Sequence, residues 1–248
     1  MKNSNFFSTI VAGENPAELM KPYDKSIEVE PYVVYKFADA EFLKAKHIEF
    51  YSSALKNKNL TKEECDELLK AMNSITNLST EEFFDDLTWE YDIDEETNDA
   101  ISTENPKGKY STYTIGKLFS VPFITLDGRE TFQARKKDIN WNIVHLGNSE
   151  IYKSAWEVVV EKRKPENEQE EQILENMKLR ESYFNNFDTK EQYITYSTAF
   201  WGYAFLDKSG WNDIDDGGNL FDWVAQFYDN FIKPLPDDTL LTIYECKK

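Results

Sequence analysis

The chain has 248 residues, with 28 Lys and Arg against 46 Asp and Glu for a formal net charge of −18, and it is 40% hydrophobic and 15% aromatic. That apolar content excludes a disordered chain despite the charge. The length fits one large domain or two small ones, and the negative balance disfavours direct binding of DNA or anionic membrane while favouring basic surfaces.

Two scattered cysteines, Cys65 and Cys246, make no disulfide framework, so a reducing cytoplasm is expected. No stretch approaches the roughly 18 apolar residues of a membrane span, and the run after Met1 is too short for a signal-peptide core.

In chain order, Phe6–Ala12 reads as a β-strand closed by Gly13. Residues 16–23 suggest a short helix, and residues 29–37, broken by Pro31, resume as an extended run. Three helices follow. The first spans residues 39–55, with Phe42, Ala45, Ile48 and Leu55 on one face. The second opens at Thr61, with Glu64 three residues on as a capping box, and its stripe is Cys65, Leu68, Leu69, Met72 and Ile75. The third opens at Ser79, with Glu82 in the same relation, and places Phe83, Phe84, Leu87 and Tyr91 on one face.

The charge is concentrated here. No basic residue lies between Lys70 and Lys107, whereas eleven acids do: Glu81, Glu82, Asp85, Asp86, Glu90, Asp92, Asp94, Glu95, Glu96, Asp99 and Glu104. Acids in a helix's first turn complement its macrodipole by about 0.3–1 kcal/mol each. That accounts for Glu81 and Glu82, but not for the acids from Asp92 to Asp99, which lie beyond the helix. Trp89, off the apolar stripe, is a candidate interface anchor.

Further on, residues 110–127 read as a β-hairpin turning at Gly116-Lys117, and Asp127-Gly128 is a second turn signal. A helix after Trp141 aligns Ile151, Ala155, Val158 and Val159. Pro165 breaks it, and a charged helix resumes near residues 168–179; residues 163–178 contain no aromatic and read as solvated. Residues 199–206 suggest an aromatic strand and residues 213–218 a polar loop. Phe221, Val224, Phe227, Tyr228 and Phe231 stripe a last helix ended by Pro234, and residues 240–244 form a final strand. Helices and strands mix without a βαβ rhythm. The expected fold is therefore a single α+β domain over residues 1–248, with an antiparallel or mixed sheet, helices packed on one side, and a helical acidic insertion over residues 39–104.

Few residues suggest a reaction. The acids from Asp92 onward fail as a calcium loop, because Thr97 and Thr103 stand where glycine and glutamate are needed. Asp213, Asp215 and Asp216 are weak candidates for holding a hard cation, set against the commoner reading of a solvated turn. His47 and His145 are too few for a histidine-based zinc site. No P-loop, GxGxxG, CxxC or GxSxG element occurs. Arg135-Lys136-Lys137 beside Trp141 is a small basic footprint for phosphate, more simply read as a solvated face. No cofactor is expected.

Four segments resemble an uncharacterised family of phage and prophage proteins from low-GC Gram-positive bacteria. They are Val11-Ala-Gly-Glu-Asn-Pro with Lys21-Pro-Tyr-Asp and Val29-Glu-Pro-Tyr32; Asn105-Pro-Lys-Gly-Lys-Tyr110 with Tyr113, Gly116 and Phe119; Gln133-Ala-Arg-Lys-Lys-Asp-Ile-Asn-Trp141; and residues 235–246 at the C-terminus. The resemblance leaves the acidic block and residues 145–195 largely uncovered. Where the family pattern ends in Gly-Gly-Arg-Trp, this chain has Gly116-Lys117-Leu118-Phe119. The resemblance implies a phage accessory gene acting in a bacterial host cytoplasm, and no known reaction.

The functional expectation is thus an acidic binding protein. Its block would dock on a basic surface of a host bacterial protein of defence or nucleic-acid processing, imitating nucleic acid and inhibiting that protein. A metal-dependent enzyme acting on nucleotides or nucleic acid is the first alternative. A self-assembling structural protein, pairing copies through the strand at residues 199–206, is the second.

Overall fold

The computed structural model describes residues 6–57, 60–116, 120–178, 181–216 and 219–248. The chain opens with β1 (Phe6–Ala12), α1 (Pro16–Met20) and β2 (Tyr32–Tyr35), followed by α2 (Ala40–Ala54), α3 (Lys62–Asn77) and α4 (Thr80–Thr88). Short strands come next: β3 (Asp92–Ile93), β4 (Ala100–Ser102), β5 (Thr112–Ile115), β6 (Phe123–Ile124), β7 (Glu130–Thr131) and β8 (Gln133–Arg135). The helices α5 (Trp141–Val144), α6 (Ser149–Val159), α7 (Glu168–Lys178), α8 (Glu181–Phe184) and α9 (Lys190–Thr198) precede β9 (Ala204–Asp207) and β10 (Gly210–Asp213). The chain ends with α10 (Leu220–Phe227), a π-turn over Tyr228–Ile232, and β11 (Leu240–Lys247).

These elements form two compact units. One comprises Met1–Lys25 with Lys107–Lys248, the other Ser26–Pro106. The segment expected as an insertion, residues 39–104, falls inside the second unit, whose earlier start reflects the pairing of β2 with β4.

The first unit is built on β11. Its residues from Leu241 to Cys246 are buried, as a strand covered on both faces must be. β1 pairs antiparallel along almost its whole length, from Phe6 opposite Lys247 to Ala12 opposite Leu241. β9 lies parallel to β1 and antiparallel to β10. On the other side of β11, β5 pairs with its C-terminal half and β8 with its N-terminal half. The class is α+β with a mixed sheet, as expected.

Strand alternation sends two residue sets to opposite faces. Ile10, Ala12, Phe205, Leu241 and Ile243 meet Phe227 and Ile232 from α10 and its π-turn. Val11, Leu206, Tyr244 and Cys246 meet Met20 of α1 and Tyr110 on the other face. Full burial of each large apolar side chain stabilises by about 1.5–3 kcal/mol, so these two clusters account for most of the sheet's cohesion. A third cluster, Trp156, Val159, Phe184, Phe187 and Tyr193, joins α6, α8 and α9.

Several local expectations change. The hairpin over residues 110–127 does not form: β5 pairs with β11, more than a hundred residues away, and β6 pairs with β7 across the Asp127-Gly128 turn. The proposed turn residue Lys117 lies outside the described residues. The strand expected over residues 199–206 begins only at Ala204 and has β1 on one side and β10 on the other. Residues 204–206, paired on both sides, present no free edge for a second copy. Helix α9 and strand β10 had no counterpart in the sequence reading. Ile151, expected to be buried, is 41% exposed. Within the solvated stretch, Glu170 is buried, gripped by both terminal nitrogens of Arg163 at 3.0 and 2.7 Å.

The second unit sets the antiparallel strands β2, β4 and β3 beside α2, α3 and α4. Its core is small: Ala40, Phe84 and Ala100 are buried with Tyr35, Phe37 and Tyr91 packed on them, and Phe83 and Thr88 of α4 are buried as well. Both capping boxes form. Thr61 Oγ1 accepts from the Glu64 N–H while the Glu64 carboxylate accepts from the Thr61 N–H, and Ser79 and Glu82 make the same exchange.

Candidate protein-binding surface

The Ser26–Pro106 unit holds 20 of the 46 acids but only seven of the 28 basic residues. Its eleven clustered acids fall into two groups. Three do structural work. The Glu82 carboxylate closes the α4 cap, and the Ser79 N–H it accepts holds its carboxyl below the usual range. Asp94 Oδ1 accepts from the Glu96 and Thr97 N–H groups and from Thr97 Oγ1, and these donors likewise depress its pKa. Asp99 Oδ1 accepts from the Phe37 N–H at 2.9 Å, tying the turn after β3 to the entry of α2.

The other eight, Glu81, Asp85, Asp86, Glu90, Asp92, Glu95, Glu96 and Glu104, are exposed, and among the described residues none of their side chains makes an ion pair or a hydrogen bond. Helix geometry explains part of this. Phe83, Phe84 and Thr88 face inward, so Glu81, Asp85 and Asp86 turn outward by default. Two of the unit's lysines are engaged elsewhere. Lys44 Nζ donates to the carbonyls of Thr76 and Leu78 at the C-terminal end of α3, where a cation suits the helix dipole. Lys46 pairs with Glu49 at 2.7 Å.

Apolar rings stand exposed in the same unit. Trp89, at the C-terminal cap of α4 between Asp86 and Glu90, is 80% exposed. Phe42 and Phe50 on α2 are 63% and 66% exposed. Phe42 was expected to face inward. Instead α2 is rotated so that Ala40, Lys44, His47, Ile48 and Tyr51 line its covered face, fixed by the His47 ring against Phe83 at 5.4 Å and by Ser52 Oγ donating to Met72 Sδ. Phe42 then lies outward beneath the Lys46 ammonium. Leu69 of α3 is also exposed. The orientation of α2 is not legible in its sequence, because apolar residues occupy both sides of that helix.

The other candidate positions lie in the first unit. Asp213 is buried at the end of β10, where its Oδ2 accepts from Lys109 Nζ at 2.9 Å and from Trp211 Nε1 at 2.8 Å. Asp215 is exposed and pairs with Lys248 Nζ at 2.7 Å. That ammonium also bonds the Tyr203 hydroxyl, and the pairing lowers the Asp215 pKa. The Asp216 side chain lies outside the described residues. Among the described residues no three His, Cys, Asp or Glu side chains converge as a metal centre requires.

The basic run is neutralised internally. Arg135 forks onto Glu14, Lys136 donates to the carbonyls of Lys233 and Leu235, and Lys137 pairs with Asp238 at 2.6 Å. Trp141 Nε1 donates to the Lys136 carbonyl. These residues clamp the start of β11. Among the described residues no helix is long and apolar enough to cross a membrane.

Comparison with protein-family models, with curated proteins and with solved structures finds no match.

Proposed function

We propose that the protein is an acidic binding protein whose Ser26–Pro106 unit docks on a basic surface of a host bacterial protein and blocks it, imitating nucleic acid. The observation that carries this reading is the set of eight exposed carboxylates that, among the described residues, make no ion pair, in the same unit as the open Trp89 ring. Like charges held that close repel and destabilise the folded unit, and a cationic partner relieves the repulsion. Carboxylates steer encounter but are screened by salt, whereas a desolvated tryptophan supplies the short-range anchor that interfaces favour. The resemblance to phage and prophage proteins supports a host defence or nucleic-acid-processing protein as the target and the host cytoplasm as the setting.

The test is capture of host proteins on the immobilised chain near physiological salt, followed by elution with duplex DNA. The expected result is a discrete partner that DNA displaces. It should be lost from the variant carrying Glu81→Gln, Asp85→Asn, Asp86→Asn and Glu90→Gln, and weakened at least about tenfold by Trp89→Ala, a typical anchor effect. Undiminished capture by both variants, or a partner that DNA does not compete away, would rule the reading out. Glu82, Asp94 and Asp99 are left intact because replacing them damages the fold.

A further inference from the structure

The first unit contains a cleft of about 530 Å³, within the range of small-molecule sites. Its floor is the sheet, at Ile10 and Ile243, and its walls include the rings of Tyr152, Tyr196 and Trp201. Neither the acidic unit nor the docking reading involves it.

Three features give it the character of a site. First, among the described residues its lining contains no Lys, Arg or His and a single carboxylate, Glu130. An anionic ligand would meet no counter-charge there, while an uncharged planar one would meet aromatic faces suited to stacking. Second, Ser120 Oγ on the lining is shielded from solvent and has no hydrogen-bond partner. Its backbone N–H is held at 2.7 Å by the buried Glu245 carboxylate, which fixes the residue in place. Orphaned buried hydroxyls are rare and call for a partner. Third, the rim at residues 146–148 is strained. Leu146 and Asn148 adopt left-handed backbone angles, φ 60° and 61°, costly for a leucine. Asn148, on the lining, is the N-cap of α6 yet its side chain makes no capping bond, which leaves its amide uncommitted within the helix.

The geometry points to a binding site for an uncharged planar heteroaromatic molecule with a hydrogen-bonding edge, of the nucleobase or nucleoside class. The ring lies against the aromatic wall, its polar edge bonds Ser120 Oγ after that hydroxyl turns from its shielded position toward the cleft, and a ring carbonyl pairs with the Asn148 amide.

Calorimetric titration of the full chain with uridine, thymidine, adenosine and inosine, and with their 5′-monophosphates, tests this. At least one nucleoside should saturate at or below about 1 mM, with its monophosphate at least about tenfold weaker for want of a cation. Ser120→Ala should weaken that nucleoside several-fold, and Ala199→Phe, which fills the cleft, should abolish it. No saturable heat from any of the four overturns the proposal. So does equal affinity for the monophosphates, or undiminished affinity in a folded Ala199→Phe variant. Should that variant not fold, Ser120→Ala and Asn148→Ala decide, and unchanged affinity in both counts against the site.

Discussion

At the scale of single residues, several polar groups of the first unit are committed to structure. Asp213 shows this best: one oxygen holds an ammonium and an indole N–H while the other is buried without a partner. Asp213→Ala strands both donors and should cost about 2–3 kcal/mol, below the usual figure for breaking a buried pair because Lys109 is partly open to water; urea unfolding of the two proteins measures it. His145 makes a second test. Its ring stacks on Tyr228 at 4.1 Å, its Nδ1 accepts the Phe200 N–H, and burial pushes its pKa down against the opposing pull of Asp229. The unfolded chain therefore binds the proton first. Stability should be flat above the ordinary histidine value of 6.5 and fall as pH drops below it. Unfolding free energies at pH 7.5, 6.5 and 5.5 should show this slope, and His145→Phe should flatten it; an unchanged slope would refute the assignment.

At the scale of elements, what could be read from the sequence is what is local. The two capping boxes lie three residues apart in the chain and were legible because their partners are neighbours. Removing the Ser79 hydroxyl by Ser79→Ala should cost about 1 kcal/mol, visible as faster amide exchange in α4 with little change in β11. Arg163 and Glu170 form a similar local lock ahead of α7, masked in the sequence by the charged residues around it. The paired guanidinium pulls the Glu170 carboxyl down to about 2. A depressed carboxylate pKa gives stability that is complete above the unfolded value of 4.5 and lost as pH falls toward 2. Glu170→Gln should remove that part of the acid transition, as followed by far-ultraviolet circular dichroism. Strand pairing was illegible for the opposite reason. β5 finds its partner in β11, and β6 and β7 are two residues each, too short for any alternation to register. The outward turn of Phe42 depends on which face of α2 meets α4, and nothing in α2 alone specifies that. Glu82, Asp94 and Asp99 looked like part of one acidic surface. Only their backbone partners, set by the fold, separate them from the eight acids that face water.

At the scale of the whole molecule, charge and stability are divided between the units. The sheet and its two apolar clusters belong to one unit, while most of the excess negative charge belongs to the other, whose buried residues among those described are only Ala40, Phe83, Phe84, Thr88 and Ala100. The two points where the chain leaves and re-enters the first unit are tied together inside that unit. Asp24 bridges Tyr110, the Lys25 N–H donates to the Tyr110 carbonyl at 2.8 Å, and the Lys109 N–H donates to the Tyr23 carbonyl at 2.8 Å. Lys109 is further anchored by Asp213. Because these contacts need nothing from residues 26–106, joining Lys25 to Lys107 through a short Gly-Ser linker should leave a chain that folds. Closing a short loop in place of a long one also lowers the entropic cost of bringing those ends together. The excised protein should keep a cooperative thermal transition and the near-ultraviolet signal of its packed rings, and it should keep nucleoside binding at the cleft while losing every partner captured through the acidic surface. Loss of cooperative unfolding would mean that the first unit depends on the second for its fold. Retention of the captured partner would move the docking surface off the acidic unit, where the uncompensated carboxylates and Trp89 now locate it.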